Sequence, residues 1–306
     1  MSDDTTLVVL AAGLGSRFGG PKQLKPLGPG DNVLLEYTAY DAIRAGFRNI
    51  VFIIQTKFAD DFASLVSRLP DEVSVQLAYQ DQHWPAGVSQ PGRKKPWGTG
   101  HALLAAQDFI HGPFVLCNAD DYYGSSAFVK AADFLDAQDP ESAHYGMLGY
   151  RLDATLSGHG SVSRALCAVS NGGYLTSVSE HSKITRKDGI IFSEIKQGEK
   201  VELNEAHRVS MNLWMLTHSI FRLLDVEVRA FIEQHRHDVS AECRLPDIVQ
   251  SLLRRGEITV ECLPHDDAWF GMTHSADHKN AVLAIQTMHD NGTYPTPLWQ
   301  KDASHL

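Results

Sequence analysis

The chain has 306 residues, a formal net charge of −10 and 43% hydrophobic residues, a composition typical of a globular protein with one large domain or two small ones. The acidic balance argues against nucleic acid as a partner, because no basic stripe is present to neutralise phosphates along a strand. No membrane helix is expected either, because no stretch approaches the roughly 18 consecutive apolar residues that a membrane helix needs.

Two features predict a reducing, cytoplasmic location. The N-terminal segment MSDDTT is acidic and polar and shows no pattern of a secretory signal. The four cysteines are widely spaced and lie beside apolar residues, which is typical of buried free thiols rather than of disulfides or metal ligands. Assembly of the chain as a homo-oligomer stays open.

The first 130 residues alternate between predicted strands and predicted helices. Apolar runs without polar interruption indicate strands buried on both faces, and spacings of three and four residues indicate helices. The strands are expected at 6–11, 49–55, 73–80 and 113–121, and the helices at 32–47, 58–69 and 100–110. Strands that alternate with helices of this length predict a parallel sheet.

The rest of the chain has a different sequence pattern. Short strand-like runs separated by turn residues indicate antiparallel pairing, and two further helices are expected at 219–235 and 245–256. The pattern predicts a single domain over residues 1–290, followed by a tail over 291–306. Two prolines and a polar end suggest that this tail packs loosely.

A glycine-rich segment, LAAGLGSRFGG, follows the first predicted strand directly. It fits either a tight turn with solvated cations or a backbone cradle for phosphates, with Arg17 and Lys22 directed at the same charge. A dinucleotide fingerprint fits less well, because Phe18 stands at the position of its third glycine. A Walker loop is excluded, because no G-K-[ST] step closes the segment.

The longer stretch LAAGLGSRFGGPKQLKPL is similar to the signature loop of the sugar-phosphate nucleotidylyltransferases, L-A-x-G-x-G-x-R followed by a short spacer and P-K. The resemblance implies the reaction NTP + sugar 1-phosphate → NDP-sugar + pyrophosphate. It implies that Arg17 and Lys22 are catalytic and offset charge at the attacked α-phosphate. The nucleotide-binding positions that it implies in this loop are Ala12, Gly13, Gly15 and Lys25.

A second motif, LCNADDYYG, ends a buried strand in two adjacent carboxylates, Asp120 and Asp121. Ligands of open α/β folds bind at the carboxyl edge of the sheet, and Mg²⁺ is usually held by one or two carboxylates and substrate phosphates. The resemblance implies that Asp120 is a Mg²⁺ ligand. Where the family usually supplies a second aspartate, this chain has Gly271. Either Asp121, Asp267 or a phosphate completes the metal shell, or metal binding is altered.

Further positions are weaker matches to the same family. Gly98 in KKPWGTGH and Gln80 at the end of the third strand fall where the family packs against and reads the nucleobase. In the second half, Glu180, Lys183 and Asn212 fall at sugar-phosphate-binding positions. Each of the last three could instead be an ordinary solvated polar residue at a strand end.

The resemblance implies an α/β fold with a Rossmann-like, mixed and mainly parallel sheet flanked by helices, as in nucleotide-diphospho-sugar transferases. Residues 1–130 would form the nucleotide-binding half and residues 131–290 the sugar-phosphate-binding half. Three alternatives stay open: transfer to another small phosphate such as phosphocholine, a non-catalytic sensor of NTP or NDP-sugar, and, more remotely, an NAD-dependent enzyme.

Overall fold

The computed structural model describes residues 4–13, 24–83, 93, 95–158, 160–194, 199–272 and 277–299. The strands are β1 (Thr6–Leu10), β2 (Asn49–Ile54), β3 (Ser74–Tyr79), β4 (Phe114–Asn118), β5 (Asp121–Tyr122), β6 (His144–Arg151), β7 (Val162–Val169), β8 (Leu175–Lys187), β9 (Ile190–Glu194), β10 (Lys200–Leu203), β11 (Arg208–Leu216), β12 (Thr259–Pro264) and β13 (Phe270–Gly271). The helices are α1 (Leu34–Arg44), α2 (Ala59–Val66), α3 (Thr99–Leu104), α4 (Ala127–Asp136), α5 (Ile220–Gln234), α6 (Leu245–Arg255) and α7 (Asp277–Asp290).

The first half is built on four parallel strands in the order β3-β2-β1-β4. In β1, Leu7 and Val9 belong to the core on one face of the sheet, and Val8 belongs to the core on the other face. This alternation follows from the pleat of a strand, and burial on both faces explains the unbroken apolar sequence. The predicted central strand is confirmed.

Helices cover both faces of the sheet. Buried residues of α1, α2 and α4 share the first core, whereas those of α3, α5 and α6 share the second. Helix α6 has Pro246 in its first turn and ends at Gly256, which takes a left-handed φ of 68°. Among the described residues, no helix has the length and hydropathy to cross a bilayer.

The second half adds seven strands to the same sheet. β6, β7, β9 and β12 run in the direction of β1 to β4, whereas β8, β10 and β11 run against it. The prediction of a mixed, mainly parallel sheet flanked by helices is therefore confirmed. The shorter strands β5 and β13 form a separate antiparallel pair.

Strand β11 changes partners along its length. Its first part pairs with β7, with Ser210 opposite Ala165, and its last part pairs with β4, with Trp214 opposite Leu116. Between the two parts the register shifts, and Asn212 adopts a φ of 60°, a conformation that asparagine tolerates better than most residues. The sheet is therefore open between β4 and β7, at the carboxyl end of β4.

The segment that follows α7 is packed, not loose, as far as residue 299. Tyr294 and Leu298 are buried, and the Tyr294 hydroxyl donates a hydrogen bond of 2.7 Å to Asp41 on α1. The expectation of a loosely packed tail is wrong for residues 291–299, because their apolar side chains complete a third, smaller core. Residues 300–306 lie outside the described part of the chain.

Candidate active site

Two adjoining clefts open where β1 and β4 end. The first cleft has a volume of about 420 Å³ and the second a volume of about 360 Å³. Both arise at this edge because Leu10 and Asn118, the last residues of the two strands, are register partners. The residues that line both clefts are Gly98, Thr99, Asn118, Asp120 and Glu242. A molecule in one cleft would therefore meet a molecule in the other beside Asp120.

The first cleft contains several positions predicted to bind a nucleotide. Ala12 and Gly13 follow β1, Gln80 follows β3, and Gly98 precedes α3, yet all four line this cleft. They meet because the parallel strands end at the same edge of the sheet. The four residues thus lie together where a nucleotide site is expected. Their roles in binding remain a proposal.

Four other residues predicted to bind the nucleotide or to act in catalysis are not seen in the lining of the cleft. Gly15, Arg17 and Lys22 lie outside the described residues. Lys25 is described and half-buried, but it is not among the residues that line either cleft.

The orientation of the Gln80 side chain is set by its neighbours. Its amide nitrogen donates to the carbonyl oxygen of Gly98 at 3.0 Å and lies 3.3 Å from Nδ1 of His101. Nε2 of His101 lies 2.9 Å from the carbonyl oxygen of His83, so this ring donates at Nε2 and accepts at Nδ1. Burial lowers the pKa of His101 to about 4, which keeps the ring neutral. Gln80 therefore turns its amide nitrogen toward Gly98 and His101, and its carbonyl oxygen lies on the other side of the amide group.

The shared wall of the clefts depends on a close backbone approach. Gly98 has a φ of 110°, and a Cβ atom there would lie 2.6 Å from the carbonyl oxygen of Cys243. The Gly100 amide donates to that same oxygen at 2.9 Å. On the same wall, Lys95 forms an ion pair with Glu242. A side chain at position 98 would separate the two backbone segments and displace this wall.

One of the two carboxylates that follow β4, that of Asp121, is held by an amide chain. Asn212 on β11 donates from Nδ2 to Oδ1 of Asn118 at 3.4 Å, and Asn118 donates from Nδ2 to Oδ2 of Asp121 at 2.8 Å. Asp121 is only 6% exposed, and Asp120 lines both clefts. The register shift of β11 thus orients Asp121 through Asn118.

Asp120 and Asp121 fit the chemistry of a Mg²⁺ site. Among the described residues, no group of three or more His, Cys, Asp or Glu side chains is placed to hold a metal. Mg²⁺ does not require such a cage, because it commonly takes one or two carboxylates together with substrate phosphates and water. Two adjacent carboxylates at the junction of the clefts are compatible with that mode of binding.

The structure distinguishes the candidates for a second carboxylate ligand. Asp267 accepts hydrogen bonds from the backbone nitrogen and hydroxyl of Ser126 at 3.1 and 2.7 Å, and it lines neither cleft. Asp121 is the register partner of Gly271, and a Cβ atom at position 271 would lie 2.5 Å from Oδ1 of Asp121. Asp121 therefore fills the space beside Gly271, which makes it the better candidate.

The second cleft occupies the opening between β4 and β7. Glu180 on β8 and Asn212 on β11 line it, as the sequence analysis expects of a sugar-phosphate site. Loss of water around the carboxyl group raises the pKa of Glu180, against the opposing charge of Arg244. Lys183 is not brought into either cleft: its ammonium pairs with Glu194 at 2.7 Å, and its side chain is 63% exposed.

Sequence reasoning missed two residues of the second cleft, Arg164 and Trp269. Arg164 is only 8% exposed, and its guanidinium carbon lies 4.8 Å from the centre of the Trp269 ring. Burial lowers the pKa of Arg164, whereas the charges of Asp121 and Glu180 raise it. The available signal was a single cation within the otherwise apolar strand RALCAV.

Comparison with known proteins gives structural matches only, since no family model and no curated protein matches the chain. The inositol-1-phosphate CTP transferase from T. maritima has a TM-score of 0.60 and 14% identity, covering 92% of this chain and 95% of that one. A protein from Bacillus anthracis, designated a glucose-1-phosphate thymidylyltransferase and solved with sucrose, has a TM-score of 0.61 and 15% identity, with the same coverage. HddC from Yersinia pseudotuberculosis has a TM-score of 0.56 and 14% identity, covering 92% and 99%. The chain therefore shares the overall fold of these proteins, as the sequence analysis predicts.

Proposed function

We propose that this protein is a nucleotidyltransferase that moves NMP from an NTP to a sugar 1-phosphate, giving an NDP-sugar and pyrophosphate. The observation that carries the proposal is the pair of clefts with Asp120 in their common wall. A transfer between two phosphates needs two adjoining anion sites and a metal ligand between them. The names of two proteins with the same fold, a CTP transferase and a thymidylyltransferase, support this assignment.

The first cleft would hold the NTP. The backbone at Ala12 and Gly13 would contact the phosphates, and Gly98 would allow a flat base to approach. The carbonyl oxygen of Gln80 would accept a hydrogen bond from an N–H group of the base, because its amide nitrogen faces Gly98. The second cleft would hold the sugar phosphate, with Glu180 and Asn212 bonding hydroxyl groups.

In the proposed reaction, an oxygen of the acceptor phosphate attacks the α-phosphorus of the NTP. The new P–O bond forms as the bond to the bridging oxygen of the β-phosphate breaks, and pyrophosphate carries away the electron pair. No general base is needed, because a sugar phosphate is already ionised at neutral pH. Catalysis then consists of positioning and charge stabilisation, the role that the resemblance gives to Arg17 and Lys22.

Asp120 and Asp121 would hold Mg²⁺ at the junction of the clefts. The ion would neutralise charge on the triphosphate when bound. The amide chain from Asn212 through Asn118 would keep the Asp121 carboxylate in place while substrates enter and leave.

A sugar phosphate suits the second cleft better than phosphocholine does. The cleft contains the buried guanidinium of Arg164 over the ring of Trp269, so a trimethylammonium group would meet a like charge where it needs an open aromatic face.

The four cysteines are buried and free, which supports a cytoplasmic location.

The proposal is tested by measuring pyrophosphate release with Mg²⁺, crossing the common NTPs with a panel of sugar 1-phosphates and phosphocholine. We expect turnover with one pair of substrates, and loss of that turnover in Lys22→Ala and Asp120→Asn. Asp188→Asn, at an exposed hairpin turn, is the matched control. Turnover within twofold of wild type in both site variants would refute the site assignment. NTP binding without release of pyrophosphate across the panel would favour the sensor.

A further inference from the structure

We infer that Arg164 is the residue that binds the phosphate of the acceptor in the second cleft. The inference rests on the proposed function and adds to it the cation that selects an anionic acceptor. The sequence resemblance assigns this role to no arginine and directs attention instead to Lys183.

Arg164 is buried and, in the part of the chain that the structure describes, forms no direct ion pair, although the charges of Asp121 and Glu180 act on it. The residue is 8% exposed, and no carboxylate of the described residues lies within ion-pair distance of its guanidinium. A buried charge is costly unless it is paired, so a cation kept in this state next to a cleft is placed for an anionic ligand.

The hydrogen bonds of Arg164 leave a defined pair of donors. Nε and one terminal nitrogen donate to the carbonyl oxygen of Thr155, and the other terminal nitrogen donates to that of Ser163 at 2.8 Å. A guanidinium has five N–H groups. One N–H on each terminal nitrogen therefore remains without a partner among the described residues. With one remaining N–H on each terminal nitrogen, the guanidinium keeps enough donors to bind two oxygens of one phosphate.

The guanidinium lies on the side of the cleft that carries the acidic pair. Its carbon is 4.8 Å from the centre of the Trp269 ring. Two atoms of that ring lie 2.8 and 3.0 Å from the Cβ position of Gly271, and Oδ1 of Asp121 lies 2.5 Å from the same point. An anion bound by Arg164 would therefore lie on the same side of the cleft as Asp121, one of the two carboxylates proposed to hold Mg²⁺, where the attacking phosphate must be.

The other cations near this cleft are committed elsewhere. Among the described residues, Arg244 also lines the cleft, but it pairs with Asp247 at 2.9 Å and its side chain is 44% exposed. Lys183 pairs with Glu194 and lies outside the cleft lining. Arg164 is thus the cation whose burial and unused donors both point to a ligand.

The test measures binding of inorganic phosphate to the full-length protein in the presence of Mg²⁺, by isothermal titration calorimetry. Wild type is compared with Arg164→Met, Arg164→Lys, Lys183→Met and Arg186→Met, the last of these being a matched change at an exposed position of β8. We expect Arg164→Met to weaken binding at least tenfold, Arg164→Lys to recover part of the loss, and Arg186→Met to bind as wild type does. Circular dichroism confirms that each variant is folded, and Arg164→Lys retains the charge should the methionine variant not fold.

Phosphate affinity in Arg164→Met within twofold of wild type would overturn the inference, as would an equal loss in Lys183→Met or no phosphate binding by wild type. Pyrophosphate release on the same preparations separates this result from the proposed function. Turnover that is unchanged by the Arg164 substitutions would contradict the inference about Arg164 and leave the proposed function intact. Arg164-dependent phosphate binding without turnover on any substrate pair contradicts the proposed function alone. In an active enzyme, the loss should appear as a raised KM for the acceptor with the KM for the NTP within threefold of wild type.

Discussion

The two clefts differ in how the chain builds them. The first cleft collects residues that follow successive parallel strands, and these strand ends meet at one edge whatever the details of packing. The second cleft depends on β11 leaving β7 and joining β4, and on a left-handed Asn212 at the point of change. A site of the first kind is visible in local motifs. A site of the second kind depends on strand register, which couples residues far apart in sequence.

Asp120 belongs to both clefts, so its substitution should have the largest effect. We expect Asp120→Asn to lower the rate of pyrophosphate release about 10³-fold, because charge stabilisation at the reacting phosphate is lost. A steady-state assay with both substrates saturating measures this change. A rate within tenfold of wild type would mean that Asp120 does not stabilise charge at the reacting phosphate, although it lines both clefts.

The pairing of β5 with β13 predicts a smaller effect on metal binding. A Cβ atom at position 271 would displace Asp121, so Gly271→Asp should weaken Mn²⁺ binding about 10- to 100-fold, the usual range for disturbed metal-site neighbours. Titration followed by electron paramagnetic resonance gives the affinity.

The double variant Asp121→Gly/Gly271→Asp moves the carboxylate across the β5–β13 pair and is the matched control. We expect it to regain part of the lost affinity. Unchanged Mn²⁺ binding in the single variant would exclude Asp121 as a ligand.

The orientation of Gln80 predicts a moderate effect confined to the first cleft. Gln80→Leu removes the acceptor oxygen, and we expect discrimination among NTPs to fall about tenfold, as it does when a hydrogen bond to a substrate is lost. The KM of the acceptor should stay within twofold of wild type. Gln76→Leu, on β3 outside both clefts, is the control. Equal discrimination by both variants would separate Gln80 from base recognition.

The smallest effect on turnover is expected at Asp41, beneath the packed C-terminal segment. Burial raises the pKa of Asp41 from 3.8 to about 7, so between these values the folded protein holds a proton that the unfolded chain has released. The free energy of unfolding should therefore fall as pH rises from 4 to 7, by roughly 1.4 kcal/mol per pH unit across that interval. In Asp41→Asn this contribution disappears, which urea denaturation at pH 5 and pH 8 would detect. The same pH dependence in variant and wild type would contradict the assignment.

How far the fold and the site could be predicted from sequence also differs between the two clefts. The parallel strands and Ala12, Gly13, Gln80 and Gly98 at their ends could be placed from sequence, because apolar runs and glycine motifs are local signals. Arg164 could not, since a lone arginine in an apolar strand marks an unusual position without indicating whether the side chain faces solvent or a cleft. The packed segment 291–299 was missed because its prolines and polar residues obscured Tyr294 and Leu298, which are buried.

Transfer from the first cleft to the second is tested most directly with an NTP labelled at its α-phosphorus. The protein, Mg²⁺ and the acceptor identified in the substrate panel are incubated with this NTP, and the products are separated. We expect the label to enter a product that also contains the acceptor, while the released pyrophosphate is unlabelled. Label recovered only in free NMP, or only in unchanged NTP, would contradict it.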